Sequence, residues 1–362
     1  MLETTKKAVA LYTATVAKQN GVDDATERFN VTPAATQKII AQIRESNEFL
    51  KKINILSVKN QKGEALGLGV TGMIASRTDT SSGKERKTKA VYNMKPMPYM
   101  CEQTNFDSHI RYAQLDAFAH LKNFNQIISN QTREQIDANK ITIGFYGKSC
   151  EANTDAEANP NGEDVNKGWF QAIREHNPDG MLKEGATPGE IRIGEGEPLV
   201  DDGTGTDTLV GAGLGDFINL DLAVMNVKGL LGDACINSAD LISIIGTDLL
   251  SYDKAKFYAA NGNKPSEKAR IEDMQVIGTY GGLPAVSVPG FPATGILVTS
   301  YSNLSIYIQE GSVRRSVATK NDKLDQIENF ESMNMAYVVE HLEKAAALEF
   351  DNVKLWINGE WV

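Results

Sequence analysis

The chain has 362 residues, with 37 Lys plus Arg against 47 Asp plus Glu, a formal charge of −10 and a pI near 5.1. That balance excludes a protein whose main work is to grip nucleic acid through a basic face. Three widely spaced cysteines, Cys101, Cys150 and Cys235, exclude a disulfide framework or a cysteine zinc site. No apolar run approaches the ~20 residues of a bilayer span, and the first residues lack the apolar stretch of a signal peptide. The expectation is a globular protein of a reducing cytoplasm, long enough for two domains of ~150 residues with chain left over.

Residues 2–20 read as a helix, because Val9, Tyr12 and Val16 recur at steps of three and four and Gly21 supplies a stop. The polar stretch 22–30 has only Val22 and Phe29 as sizeable apolar residues, so the first helix reads as the more detachable part of the chain. Thr32 and Pro33 then open a second helix as N-cap and first-turn residue, with Ile39, Ile43, Leu50 and Ile53 as its stripe. Residues 53–58 read as a strand. Glycines, short β-prone runs, a polar tip at 79–84 and a return over 88–99 follow. This pattern predicts a long hairpin turning near Ser81–Gly83, which reaches roughly 65 Å if each arm has about 20 residues. Its tip carries Arg77, Lys84, Arg86, Lys87 and Lys89 against Asp79 and Glu85, a charge suited to an acidic neighbour.

Residues 112–146 form the longest helical candidate, with Leu115, Phe118, Leu121, Phe124, Ile128 and Ile136 at mostly helical spacing and Gly144 and Gly147 closing it. A helix of that length, roughly 50 Å, reads as a spine for a sheet. Residues 150–216 are rich in Gly, Asp, Glu and Asn and read mostly as loop, apart from a short helical piece at Trp169–Phe170 and a strand at Glu190–Ile193. From residue 216 the pattern alternates. A helix at 217–230, a buried strand at 241–245, a helix capped by Thr247 and Asp248, and strands at 285–288 and 296–298 read as a sheet flanked by helices. Leu304, Ile306 and Ile308 mark a half-buried strand, residues 333–339 a more buried one, and residues 340–347 a short helix before a tail with Trp356 and Trp361.

Motifs for chemistry are weak. Gly67-Leu-Gly-Val-Thr-Gly72 matches GxGxxG, the basis of an alternative reading as a nucleotide-binding enzyme, but Met73–Ser82 shows no helical stripe to follow it. Gly144–Ser149 lacks the first glycine of a Walker loop, because position 142 is Thr142. The loop beginning at Glu157 resembles half an EF-hand, yet its twelfth position is Gly168 rather than a bidentate carboxylate. No GxSxG or HExxH occurs and no histidine stands beside a cysteine. By subtraction the chain reads as an interaction or structural protein, with no catalytic, metal or cofactor residues.

Several segments together resemble the major capsid proteins of temperate, contractile-tailed phages of the peduovirus type, which carry the Hong Kong 97 capsid fold. They are Phe29-Asn-Val-Thr-Pro33; Gly67–Gly72 running on to Ser76-Arg-Thr-Asp-Thr80; Cys101-Glu-Gln-Thr-Asn-Phe-Asp107; Leu283-Pro-Ala-Val286 with Phe291-Pro-Ala293; Asn303–Tyr307; and Lys323-Leu-Asp325 followed by Glu328–Asn334 and Tyr337–Glu340. The stretch 151–216 fits the resemblance least. The resemblance implies an α+β chain with an N-terminal scaffold-like segment at 1–30, an N-arm at 31–55 and an extended E-loop at 56–104. It further implies a P-domain at 105–215 with its spine helix at 112–146, an A-domain at 216–300, P-domain strands at 301–345 and a C-terminal tail at 346–362.

The implied work is self-assembly into hexamers and pentamers that close an icosahedral shell around packaged double-stranded DNA, enclosed without sequence-specific binding. The place is the virion capsid, assembled in the host cytoplasm with no membrane. The implied partners are other copies of the chain, an internal scaffolding protein or protease, and a portal protein. Arg77, Lys84, Arg86 and Lys87 are the expected inter-subunit contacts of the E-loop. Phe29, Asn30, Val31 and Thr32 are the expected region of a maturation cleavage.

Overall fold

The computed structural model describes residues 1–70, 75–83, 85–88, 92–118, 124–197, 200–201, 209–210, 213–261 and 278–362. The chain forms two compact units. The first comprises Met1–Gly63, Pro98–Gln171 and Leu304–Val338, and the second Glu64–Met97, Ala172–Asn303 and Val339–Val362.

The first unit is built on a seven-stranded sheet. Its path runs from Phe29–Asn30 through Arg314–Asn321, Gln326–Val339 and Leu304–Gln309 to Asn54–Val58, and Glu102–Asn105 and Ser108–Arg111 also pair with the long strand Gln326–Val339. Asn54–Val58 runs parallel to Leu304–Gln309, so the first sixth of the chain is tied to the last. Helices α1 (Glu3–Asn20), α2 (Pro33–Ser46), α3 (Glu48–Lys52), α4 (Tyr112–Phe118) and α5 (Phe124–Tyr146) belong to this unit.

Two N-terminal signals correspond to the structure. Helix α1 stops at Gly21, whose left-handed φ of 68° suits a residue without Cβ. Thr32 caps α2, its hydroxyl accepting from the Ala35 amide with Pro33 in the first turn. The second helix does not run through to residue 53, however. Asn47 leaves the helical region, and its side chain accepts from the Phe49 amide, so it ends α2 and caps α3. The expected spine is helical over Tyr112–Phe118 and Phe124–Tyr146, and residues 119–123 lie outside the described residues.

Gly144 lies inside α5 rather than at its stop. A Cβ there would sit 2.5 Å from the Trp169 ring and 2.9 Å from that of Tyr337. The absence of a side chain therefore lets α5 lie flat against an aromatic cluster. Trp169 is fully buried, its ring centroid 4.9 Å from Phe145, 5.2 Å from Tyr337 and 6.1 Å from Phe49. Its indole N–H donates to the Ser305 carbonyl at 3.1 Å, and the Tyr337 hydroxyl donates to the Lys140 carbonyl at 2.7 Å.

Two C-terminal readings are corrected. Leu304–Gln309 is buried on both faces rather than half-buried, because it lies between two strands with helices packed over them. Residues 340–347 are not a helix. A single 3-10 turn at Leu342–Lys344 leads into the strand Ala346–Leu348, where three small or aliphatic side chains fill a sheet interior. Strand Arg314–Asn321 had no signal in the alternation pattern.

The second unit has a six-stranded mixed sheet in the order Thr279–Tyr280, Leu283–Val286, Ile242–Ile245, Ile296–Thr299, Ala346–Leu348, Met181–Leu182. Helices α7 (Leu220–Gly229) and α8 (Thr247–Asn261) also belong to it. The α7 residues Leu220, Ala223, Val224 and Val227 pack with Ile245, Ile296 and Leu348 in one cluster. Helix α6 (Trp169–His176) contributes Arg174, whose guanidinium makes a two-point contact with the Glu349 carboxylate. Described residues of the Gly- and Asp-rich region around 181–216 form structure that its composition does not suggest. Ile191–Ile193 forms a strand with Val353–Ile357, and the Asp216 carboxylate accepts from the Ala186 and Arg192 amides at 2.6 and 2.7 Å.

Trp169→Ala removes the cluster's central ring and one buried hydrogen bond, and is expected to cost about 3–5 kcal/mol. Gly144→Val, which drives a side chain into the Trp169 ring, should be at least as damaging. Denaturant unfolding of the unassembled chain measures both.

Candidate assembly surfaces

Strands Lys62–Val70 and Tyr92–Met100 pair as a separate two-stranded sheet. The regular part has nine residues per arm, about 30 Å at 3.3 Å per residue, roughly half the reach that arms of 20 residues would give. The root is held tightly. The Cys101 amide donates to the Gln61 carbonyl at 2.8 Å, and the Gln61 side chain returns a bond to the Cys101 carbonyl at 3.2 Å. The Tyr99 ring stands edge-on to Tyr307 at 4.9 Å, and a Cβ at Gly63 would lie 2.6 Å from the Tyr99 hydroxyl.

At the tip, Thr80–Ser82 makes one 3-10 turn and Gly83 closes it with φ 78°. The Asp79 carboxylate accepts from both the amide and the hydroxyl of Ser81, and these bonds hold its pKa below the usual carboxylate value. The tip's aspartate is thereby engaged within its own turn, while Arg77, Arg86 and Lys87 are exposed. Lys84 lies outside the described residues.

The N-terminal segment is the second surface. Phe29 and Asn30 pair antiparallel with Arg315 and Arg314 at the sheet edge. The Val31 amide donates to the Val313 carbonyl at 2.9 Å, and the Val31 side chain is buried. Thr32 is exposed at the start of α2. The polar stretch that read as a detachable linker is instead packed. Ala25 is buried, its carbonyl accepts from the Val317 amide at 2.8 Å, and the Thr26 carbonyl accepts from the Thr319 hydroxyl at 3.0 Å. Helix α1 covers Leu115, Val317, Ala318 and Ile327 with Val9, Val16 and Ala17. Sequence reasoning missed this because the contacts are between residues some 300 apart, and the buried Ala25 is too small to mark a core position. It also missed Asp116, whose carboxylate accepts from the Leu2 amide and the Thr5 hydroxyl at 2.9 and 2.6 Å and so anchors the first turn of α1.

The residues considered for chemistry are not brought together. Gly67 and Gly69 lie within a strand rather than at a strand-to-helix turn, and Gly72 lies outside the described residues. Gly168, at the twelfth position of the EF-hand-like loop, would place a Cβ 2.4 Å from the Gly144 carbonyl. The loop's carboxylates bond to its own donors: Asp164 accepts from the Asp155 amide and the Asn159 side chain, and Glu163 from Asn161. Among the described residues no cluster of His, Cys, Asp and Glu is suited to a metal ion, and no helix is long and apolar enough to cross a membrane. Burial, aided by Glu102, pushes the Cys101 thiol up to about 11, and burial also raises Cys150 and Cys235, the opposite of activation.

What stands out is therefore an arm with a rigid root and a basic tip, and a sheet edge occupied by the chain's own N-terminus. The family profile described as "Phage major capsid protein, P2 family" matches residues 8–351. The chain belongs to the P2 family of phage major capsid proteins. Among its P2-family relatives, the capsid protein of Escherichia phage P2 is 37% identical over 361 residues, covering 96% of this chain and 95% of that one. The major capsid protein of Serratia phage KSP20 is 30% identical over 327 residues, covering 89% and 88%. A solved structure, the procapsid of satellite phage P4 including its size determination (Sid) protein, contains a chain that matches with a TM-score of 0.73 at 34% identity over 98% of this chain and 99% of its own.

As a P2-family capsid protein the chain builds the icosahedral shell of a phage virion, and its α+β architecture is of the Hong Kong 97 capsid type. The nucleotide-binding reading of Gly67–Gly72 has no support.

With its pKa at about 11, the Cys101 thiol is ionised to about one part in a thousand at pH 8. Cys101 is buried whereas Cys150 is exposed. Alkylation of the native chain at pH 8, read by peptide mass, should label Cys150 first and leave Cys101 unmodified until unfolding. Gly63→Val, which displaces Tyr99 from the root of the arm, should reduce particle yield more than it reduces the amount of soluble chain.

Proposed function

We propose that the chain assembles through hexamers and pentamers, that the arm at 56–104 is the E-loop of the fold, and that its basic tip docks on acidic surface of an adjacent copy. The observation that carries this reading is the arm itself. Its root is clamped by Gln61, Tyr99 and Tyr307, its tip turn is preformed by Asp79, and Arg77, Arg86 and Lys87 are left exposed. A preformed tip turn loses little freedom on docking, and a subunit of charge −10 offers it an acidic partner. Many such contacts repeated by symmetry make a stable shell from modest pairwise affinities.

In the same reading residues 31–55 are the N-arm and 105–215 with 301–345 the P-domain. Residues 216–300 are the A-domain, with the tail 346–362 packing on it. The shell encloses double-stranded DNA without gripping it, since a positive lining would bind the packed genome and resist its exit. The protein catalyses nothing. An internal scaffolding protein or protease and a portal are its partners in assembly, and residues 1–30 are a scaffold-like segment cut near Phe29–Thr32 as the particle matures. The hydrogen bonds of Phe29–Val31 to the sheet edge imply that this segment opens locally before it is cut.

Two measurements test the proposal. Substitution of Arg77, Lys84, Arg86 and Lys87 together by Glu should abolish or sharply reduce particles while the chain stays folded by circular dichroism; an ordinary yield of shells refutes the docking. Intact mass of the subunit in mature particles should fall below the 39.4 kDa of the full chain, and a subunit of full mass refutes the cleavage.

A further inference from the structure

Strand Arg314–Asn321 contains an irregularity that coincides with the seat of α1. Arg314, Arg315 and Ser316 pair with Ser332, Glu331 and Phe330, whereas Thr319, Lys320 and Asn321 pair with Glu328, Ile327 and Gln326. Two residues, Val317 and Ala318, therefore stand opposite one, Asn329, which is a β-bulge. Ala318 takes up the extra residue with φ 55°, the left-handed region that L residues other than Asn and Asp rarely enter. Its amide donates to the Asn329 side chain at 2.8 Å.

In a regular strand Val317 and Ala318 would point to opposite faces. Here both are buried, and both pack in the cluster formed with Val9, Val16, Ala17 and Ala25. The bulge thus presents two consecutive apolar side chains to α1. The same N-terminal segment holds the adjoining end of the strand, through Phe29 opposite Arg315, Asn30 opposite Arg314, and the Val31 amide on Val313. Besides the Thr319 hydroxyl on the Thr26 carbonyl, the other end has anchors outside that segment: the Tyr112 amide on the Asp325 carbonyl, the Tyr112 hydroxyl on Asp322, and the pairing of Ser108–Arg111 with the neighbouring strand.

We infer that residues 1–31 and the bulge at Val317–Ala318 are one two-state element: α1 seated holds Ala318 left-handed, and α1 released lets it return to extended backbone. Because the Thr319–Asn321 end stays fixed, release moves Arg314–Ser316 by one position along its partner strand, and each of those side chains changes face. Ser316 replaces Arg315 opposite Glu331, so the Arg315–Glu331 ion pair, now 2.9 Å long, is broken. Tyr12 of α1 borders a cavity of about 50 Å³ that Arg315 and Glu331 also line, so the ion pair and the helix share one space. The departure of the N-terminal segment is thereby converted into a rearrangement of charge on the sheet. The coupling stands on this geometry. Its use in maturation rests on the cleavage reading above, and a subunit of full mass in mature particles would remove that use without touching the coupling.

Hydrogen exchange on the full chain tests it. In Val9→Ala/Val16→Ala, which loosens the seat of α1, the Ala318 amide should lose protection together with residues 25–31. Ala318 is the diagnostic position because its amide bonds to Asn329 and not to the N-terminal segment. An Ala318 amide that keeps its wild-type protection while 25–31 opens overturns the inference. Ala318→Gly, a residue at ease in the left-handed region and less so in a strand, should lower the opening of residues 25–31 about fivefold. This second arm needs no loosening of the fold, and unchanged opening there overturns the inference equally.

Discussion

The fit of the Trp169 indole over Gly144 is the contact on which the first unit depends. A helix of 23 residues with a weak apolar stripe has no strong preference for where it lies on a sheet. The missing side chain at Gly144 creates a place where a large ring can approach the helix backbone, and the ring fills it while its N–H satisfies the Ser305 carbonyl. Tyr337 closes the arrangement from the long strand by donating to the helix at Lys140. Phe49 of α3 joins from the other side, which brings the N-terminal helices into the same core. Shape, a buried hydrogen bond and edge-on ring packing therefore act at one point, and displacing any one of them loosens the others.

Much of this was legible in the residues. The cap at Thr32, the stop at Gly21, the strand at 54–58 and the helix through 124–146 follow from local chemistry and period, and local chemistry is what a sequence states directly. The turn at Thr80–Gly83 was equally plain. The losses have physical causes. Asn47 breaks a helical pattern through a side-chain bond to the backbone that competes with the helix, and such a residue reads as merely polar. Strand Arg314–Asn321 escaped because its bulge destroys the alternation by which strands are read. Gly144 was read as a stop because its reason for being glycine lies in Trp169, a distant residue. The packing of residues 22–31 was missed because main-chain hydrogen bonds to a sheet edge leave almost no trace in side-chain identity.

Of the assembly surfaces, the sequence displayed the basic tip and concealed the root. Charge clusters are visible in a string of letters, whereas the clamp of Gln61, Cys101, Tyr99 and Tyr307 exists only once strands from both ends of the chain are adjacent. The docking proposed above assigns attraction to the tip, while the root fixes where the two arm strands begin. Shells need both, because a contact repeated by symmetry closes only if each copy presents it at the same angle. The sheet edge shows a complementary economy. An unpaired edge strand invites promiscuous pairing, and this chain covers its own edge with residues 25–31.

The parallel pairing of Asn54–Val58 with Leu304–Gln309 has a consequence for timing. Asn54 and Ser305 are 251 positions apart, and a ribosome adding ~5–20 residues per second needs roughly 12–50 s to make that stretch. Throughout that interval the strand after α3 lacks its sheet neighbour, so the seven-stranded sheet cannot close on a nascent chain. Any surface carried by that sheet is therefore complete only after residues 304–338 have been made. Topology thus sets the earliest moment at which a contact borne by the sheet can exist.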